Sequence, residues 1–284
     1  MATDITSAFQ FADAEVILRP RAEFKEFKVH RWPLQQASPV YRSTFGLPQP
    51  PNPQGTLPVI VVEESAAVTC AILSFIYPNI DDPPLTTDLD IIPDLLRALD
   101  KYEMSAQLNR VISILESLAQ TEPVRVFLIA RSVGLDDIAL TAAHNTLRIP
   151  WENLMTVNVP EQNTVPSGAS WELLRYHQRC GQVAAAVIHE KTLNIILSSV
   201  RPDLHAKIGS KAFWESYRGS LEESVRSCPD ASQVTIPKHC KACDSKPREC
   251  KECSERYINT QFASLVVPRL KREIQIATRR VALV

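Results

Sequence analysis

Residues 15–31 read EVILRPRAEFKEFKVHR, and this stretch decides the fold. Residues 16–18 form a short apolar run between Glu15 and Arg19, and further on Phe27 and Val29 alternate with polar neighbours. A period of two is typical of a β-strand with one buried face and one solvated face. Pro20 begins the connection between the two runs, so the stretch predicts a β-hairpin.

The chain that follows the hairpin predicts further elements of a small mixed domain. Ser38 followed by Pro39 is typical of a helix start, with serine as the N-cap and proline in the first turn. The β-branched run 59–62 predicts a buried strand, and the apolar run 66–77 predicts a buried helix. From 88 to 148, apolar residues recur at steps of three and four, which predicts stacked helical hairpins.

The second half of the chain predicts helices only. The polar, proline-marked segment 157–168 predicts a linker. Residues 169–188 and 213–225 have helical spacing, and 258–284 predicts a basic amphipathic helix that Pro268 kinks or restarts. The predicted fold class is therefore α+β, a small sheet capped by helical hairpins and followed by a mostly α-helical C-terminal domain.

Glycine spacing excludes several enzyme classes. The chain has 284 residues and 7 glycines, no two of them closer than nine positions. A dinucleotide fingerprint, a Walker loop and a nucleophile elbow all need glycines a few residues apart. The zinc-hydrolase pattern His-Glu-x-x-His is also absent from the sequence. We therefore expect a protein that is not an enzyme.

Charge and hydropathy predict where the chain acts. The formal net charge is −1, so no global field draws the chain to nucleic acid or to a membrane surface. No run reaches 18 apolar residues, and residues 1–10 lack the features of a secretory signal. We expect an intracellular protein of the cytoplasm or nucleus, with its seven cysteines reduced.

Several of these stretches together resemble a known domain. The set comprises EVIL at 15–18, FKVHR at 27–31, Leu34, SPVYRSTF at 38–45 and AILSFIYP at 71–78. In this order they resemble the BTB/POZ domain, in which helical hairpins cap a small sheet. The wider chain is similar to a large class of fungal BTB proteins, through LLRYHQRC at 173–180 and CKAC at 240–243.

The resemblance divides the chain and implies a function. It implies a BTB/POZ-like domain over 11–118, and the helical periodicity and the polar linker divide the rest into a helical extension over 119–156, the linker 157–168 and a helical C-terminal domain over 169–284. BTB domains bind proteins and often form homodimers, so the resemblance implies a non-enzymatic protein–protein interaction module. The alternatives are a substrate adaptor of a cullin-type ubiquitin ligase and a transcriptional regulator that binds DNA.

The resemblance also implies a site in the first domain. Glu15, His30 and Arg31 would form a charged partner or dimer pocket, with the histidine holding the hairpin against a helix. The alternative interpretation of Glu15 and Arg31 is a surface ion pair, which stabilises a protein by about 0–1 kcal/mol.

A cysteine cluster in the C-terminal segment is the sharpest local pattern. Its members are Cys240, Cys243, Cys250 and Cys253. Two Cys-x-x-Cys pairs can complete a tetrahedral shell of thiolates around one structural zinc ion, and His239 could replace one ligand. The alternatives are a reduced surface loop that binds no metal and a disulfide or redox pair. The first three cysteines also match half of a fungal binuclear zinc cluster, whose second half does not follow.

Two further patterns leave alternatives open. His177 and Cys180 share one helix face and could bind a metal, with Cys228 as a third ligand; the alternative is that they belong to the core. Residues 234–284 hold 11 Lys and Arg against 5 Asp and Glu, a net charge of +6. Such a segment is either the solvated face of a terminal helix or a nucleic-acid-binding surface.

Overall fold

The protein is described by a computed structural model. The described residues are 6–47, 56–77, 88–189, 211–235, 264 and 266–283. The chain divides into two compact units, Met1–Ile138 and Ala139–Val284. The described residues form three β-strands and eleven α-helices, which confirms the predicted mixed α+β class.

The first unit contains a small β-sheet. Its strands are β1 (Val16–Pro20), β2 (Phe27–Val29) and β3 (Val59–Val62). The order in the sheet is β2-β1-β3. β1 and β2 pair antiparallel with Val16 opposite Val29, which confirms the predicted hairpin, and β1 and β3 pair parallel with Ile17 opposite Val59. Buried residues alternate along β1 and β2, so one face of the hairpin packs on the core.

Strand β3 differs from its predicted environment. We predicted a buried strand, but β3 lies at the edge of the sheet among the described residues. Val59 is 41% exposed and Val61 is 50% exposed, whereas Val62 is buried. The pleat points Val59 and Val61 to the face away from the core, and their β-branched shape favours a strand whether or not that face is covered.

Six helices follow or flank the sheet in the first unit. They are α1 (Arg31–Ala37), α2 (Pro39–Gly46), α3 (Ala66–Ile76), α4 (Ile92–Lys101), α5 (Ser105–Leu118) and α6 (Pro123–Ser132). The predicted start of α2 is confirmed, because the Ser38 hydroxyl accepts a hydrogen bond from the Tyr41 N–H at 3.2 Å. The same hydroxyl donates to the Tyr102 carbonyl at 2.6 Å, which ties α2 to the end of α4.

The core of the first unit surrounds α3. Eight of the eleven α3 residues are buried, so this helix runs through the core and not along its surface. Phe9, Leu18, Phe27 and Leu99 are also fully or almost fully buried. Each such side chain stabilises the fold by about 1.5–3 kcal/mol relative to full exposure.

The second unit is helical in its described part. Helix α7 (Asp136–Thr146) crosses from the first unit, and the others are α8 (Trp151–Thr156), α9 (Ser167–Ile188), α10 (Lys211–Ser227) and α11 (Val267–Arg279). The long helix α9 packs against both α10 and α11. Ala184, Ile188, Val225 and Leu270 form part of the shared apolar cluster. Pro268 lies in the first turn of α11, so the proline starts a helix as predicted.

The division of the chain differs from the domain boundaries implied by the resemblance. The units meet at Ile138, inside the segment that was assigned to a helical extension. α6 packs on α4 and α5, and so belongs to the first unit. The predicted linker 157–168 lies in the second unit, where it contains a 3-10 turn at Pro160–Asn163 and buries Val165. A buried apolar side chain anchors a segment that polar composition alone marks as a loop.

Candidate protein-interaction site on the first helix

The structure brings together the three residues that the resemblance implies for the pocket. Helix α1 begins immediately after β2, with His30 in extended conformation as its N-cap. The Glu15 N–H donates to the Val29 carbonyl at 3.0 Å, so the hairpin holds Glu15 beside the start of α1. The Glu15 carboxylate then accepts the Arg31 backbone N–H at 2.9 Å. This carboxylate caps the helix start, where anionic groups are favourable.

The backbone N–H and both ring nitrogens of His30 have hydrogen-bond partners. Its backbone N–H donates to the Tyr77 hydroxyl oxygen at 2.9 Å, and its Nδ1 lies 3.2 Å from the same oxygen. Its Nε2 lies 3.1 Å from a carboxylate oxygen of Asp13. An ionised carboxylate can only accept, so the Nε2–H donates to Asp13, and in the neutral ring Nδ1 then accepts from the Tyr77 hydroxyl. The bond to His30 lowers the pKa of the Asp13 carboxyl.

An aromatic contact completes this anchor. The Phe11 ring stacks on Tyr77 with centroids 5.0 Å apart and lies 4.8 Å from the His30 ring. Burial raises the pKa of the Tyr77 hydroxyl. Tyr77 directly follows α3, so His30 joins the hairpin to the end of that helix. The contacts of His30 are those of a positioning residue for α1.

The guanidinium of Arg31 contacts an aromatic ring and contains a buried N–H that has no partner among the described residues. Its Cζ lies 5.5 Å from the centroid of the Phe45 ring, a cation–π contact between α1 and α2. Its Nε is buried and has no hydrogen-bond partner among the described residues. A buried polar group without a partner costs about 1–3 kcal/mol. The contact between Arg31 and Glu15 is made by the Arg31 backbone N–H, so it is a helix cap and differs from the surface ion pair of the alternative interpretation.

Trp32 lies next to Arg31 and was missed by the sequence analysis. Its side chain is 67% exposed, whereas Leu34 is the buried residue of α1. A signal was present, since a tryptophan and an arginine stand together directly after a strand. We refer to Glu15, Arg31, Trp32 and Phe45 as the α1 patch. Tryptophan and arginine are among the residues that dominate binding energy at protein interfaces, so the patch is suited to recognition.

The residues singled out in the second unit form core contacts. His177 is fully buried, and its Nε2 lies 3.0 Å from the Ile149 carbonyl, to which it donates. Burial lowers the pKa of His177, and its Nδ1 has no partner among the described residues. The Cys180 thiol donates to the Thr278 carbonyl at 3.9 Å, and the Cys228 thiol donates to the Leu147 carbonyl at 3.2 Å.

The state of these thiols favours the core interpretation over a metal site. Burial raises the pKa of Cys180 to about 11 and also raises the pKa of Cys228. Both thiols donate to backbone carbonyls inside the unit, as buried free cysteines of a core do. In the described ranges, no group of three or more His, Cys, Asp or Glu residues could hold a metal ion.

The cysteine cluster cannot be placed in this arrangement. Cys240, Cys243, Cys250 and Cys253 lie outside the described residues, as does His239. The structural zinc ion therefore stays a prediction from the spacing of the cysteines.

Comparisons with known proteins add no family to this picture. No protein-family model matches the chain, and the comparison with curated proteins finds no match. In the part of the chain that the structure describes, no helix combines the length and apolar character needed to cross a bilayer.

Proposed function

We propose that this chain is a non-enzymatic protein–protein interaction module of the BTB/POZ type, which binds a partner through the α1 patch of its first unit. The observation that carries the proposal is Trp32, 67% exposed beside the cationic Arg31. The hairpin, the capped helix α2 and the buried helix α3 are consistent with the resemblance. The mechanism is burial of apolar surface combined with directed hydrogen bonds, and no covalent step is needed.

The size of the tryptophan makes it a strong anchor. A tryptophan buries about 150–250 Å² in an interface, so a side chain that is 67% exposed has about 100–170 Å² left to bury. At about 25 cal/mol per Å², this burial stabilises a complex by about 2.5–4 kcal/mol before the cost of ordering both partners.

The guanidinium adds a polar requirement on the partner. Arg31 is partly exposed, and carboxylates and backbone carbonyls are the acceptors that the N–H groups of a guanidinium bind. The contact with Phe45 and the helix cap by Glu15 hold the arginine in place before a partner arrives. The partner surface that fits best therefore has an apolar pocket with a hydrogen-bond acceptor at its rim.

The test is affinity purification of the full chain from cell extract with a pair of tryptophan variants. Trp32→Ala is expected to lose the partner that the wild type retains. Trp171→Ala, at a tryptophan of α9 with 63% exposure, is the matched control and is expected to keep it. Equal recovery of the partner by both variants would contradict the proposal.

The same purification distinguishes the alternatives. A cullin that is lost with Trp32→Ala would assign the chain to ubiquitin-ligase adaptors. Salt-sensitive recovery of DNA that persists in Trp32→Ala would instead favour a regulator that uses the basic C-terminal segment. Arg269, Lys271, Arg272, Arg279 and Arg280 belong to the described part of that segment.

A further inference from the structure

A small cleft in the second unit is lined by side chains of three helices. Its volume is about 220 Å³, and its lining residues are Leu140, Thr141, His144, Asn145, Tyr176 and Arg279. The first four belong to α7, whereas Tyr176 belongs to α9 and Arg279 ends α11. No acidic side chain is found among these described lining residues. The cleft therefore presents a cation and several hydrogen-bonding groups to a ligand.

Two of the lining side chains carry groups that no described residue binds. The Arg279 guanidinium and the Nε2 of His144 make no hydrogen bond or ion pair with the described residues. The Nδ1 of His144 lies 3.4 Å from the Tyr176 hydroxyl oxygen, which holds the imidazole beside α9. Burial lowers the pKa of His144 and the positive charge of Arg279 lowers it further, while Asp230 raises it and Arg148 lowers it. Two cations and one anion thus surround the imidazole, which favours an anionic ligand.

We propose that this cleft binds the phosphate group of a phosphomonoester, held by the Arg279 guanidinium and the His144 imidazole. A guanidinium presents its N–H groups as a fork that fits two oxygens of a phosphate, and the imidazole adds a further donor. Thr141 and Asn145 lie one helical turn apart and add a hydroxyl and an amide on the α7 side. A phosphomonoester carries about −1.5 to −2 charges and three acceptor oxygens, so it uses more of these donors than a carboxylate does.

The size of the cleft restricts the ligand to a phosphate with few attached atoms. Sites for drug-sized ligands have about 300–1,000 Å³, which exceeds the 220 Å³ of this cleft. Leu140 is 42% exposed and offers an apolar wall to the carbon atoms that carry the phosphate. A small phosphorylated molecule and a phosphorylated serine of another protein share this chemistry. The cleft lies in the second unit, so the proposal does not depend on the α1 patch.

Proton NMR titration of the full chain with inorganic phosphate, at about pH 7 and constant ionic strength, measures the binding. The Hε1 signal of His144, assigned by its loss in His144→Gln, is expected to shift with a dissociation constant on the order of 1 mM. Arg279→Gln removes the charge-assisted hydrogen bonds and is expected to weaken binding about tenfold or more. Arg272→Gln, the matched control, removes an exposed arginine of α11 outside the cleft and is expected to bind within about twofold of the wild type.

The ionisation of His144 provides a second readout. A bound anion favours the protonated imidazole, so the pKa of His144 is expected to rise when sulfate replaces chloride at equal ionic strength. Sulfate keeps its two charges across the titration, which leaves the imidazole as the group that changes. His177 is the internal control, because it is fully buried in the same unit and does not line the cleft. Its pKa is expected to stay the same in both salts.

Three outcomes would overturn the proposal: a wild type whose His144 signal does not respond to phosphate, an unchanged pKa of His144 in sulfate, and equal weakening by Arg279→Gln and Arg272→Gln. Urea unfolding checks that each variant folds. A five-residue peptide with a central phosphoserine distinguishes the sources, since tighter binding than inorganic phosphate assigns the cleft to phosphorylated proteins and weaker binding assigns it to small molecules. Trp32→Ala is expected to bind phosphate like the wild type, so this proposal and the proposed function fail separately.

Discussion

Gly181 provides a sharp test of how the second unit is packed. It lies in α9 where α10 crosses, and a Cβ added at this position would come within 2.5 Å of the Arg226 carbonyl oxygen. That atom belongs to the backbone, so it moves only if α10 moves. Gly219 lies in α10 with no atom within 4 Å of an added Cβ, and it is exposed. Both glycines lie within helices, but of the two only Gly181 lies close to the backbone of another helix.

Alanine is expected to change the free energy of unfolding in opposite directions at the two positions. Replacing glycine by alanine inside a helix gains about 0.5–1 kcal/mol. At Gly181, ordinary contact at 3.4 Å requires α9 and α10 to separate by about 0.9 Å. A gap of that size loosens the apolar cluster that includes Ala184 and Val225, so we place the cost near the upper end of overpacking, about 3 kcal/mol. Gly181→Ala is then destabilising by about 2 kcal/mol net, and Gly219→Ala is stabilising by about 0.5–1 kcal/mol.

Urea unfolding of the wild type and both variants measures these changes in the free energy of unfolding. The expected result is a lower midpoint for Gly181→Ala and a higher midpoint for Gly219→Ala, each with an unchanged slope. A Gly181→Ala variant as stable as the wild type would refute the close packing of α9 on α10. An equal loss in both variants would show that helix backbone effects, and not the contact with Arg226, dominate.

Two further predictions concern Ser38 and the buried histidines. Ser38→Ala removes the N-cap of α2 and leaves the buried Tyr102 carbonyl without its 2.6 Å donor, so we expect the free energy of unfolding in urea to fall by about 2–3 kcal/mol. Ser38→Thr keeps a hydroxyl and should lose less stability than Ser38→Ala. Equal losses in the two variants would contradict this role of the Ser38 hydroxyl. Burial lowers the pKa of both His177 and His144, so the unfolded chain binds more protons than the folded one below the ordinary histidine pKa of about 6.5. Stability is therefore greatest above that pH and falls as the pH drops through it. Urea unfolding at about pH 7.5 and about pH 5.5 should show a lower midpoint at the lower pH. His177→Gln should make the difference between the two midpoints smaller. A midpoint that does not change with pH would disprove the prediction.

Local patterns predicted much of the first unit. The alternation around Phe27 and Val29 predicted the hairpin, and Ser38 followed by Pro39 predicted the start of α2. Both features depend on residues close together in the chain: a pleat repeats every two residues, and a cap acts within one turn. The apolar run of α3 was equally clear, because a helix buried on most sides needs few polar residues.

The α1 patch was predicted only in part. The resemblance supplied Glu15 and Arg31 of this patch, together with the neighbouring His30, and the structure brings Glu15 and Arg31 into contact. Trp32 was missed because α1 is short and buries one residue, which leaves no helical period to detect. The cation–π partner Phe45 could not be assigned, since the contact depends on how α1 and α2 pack and not on spacing in the sequence.

The sequence by itself determined the hairpin, the cap of α2 and the types of most of the other elements. Each of these follows from residues that are close together in the chain. The tertiary structure alone decided which surfaces are covered. The run VIVV has the same strand propensity at the centre of a sheet or at its edge, and only the pairing with β1 shows that Val59 and Val61 are exposed. Likewise, only the approach of α10 to α9 makes Gly181 a position that cannot carry a side chain, because steric contact depends on residues that are far apart in the chain.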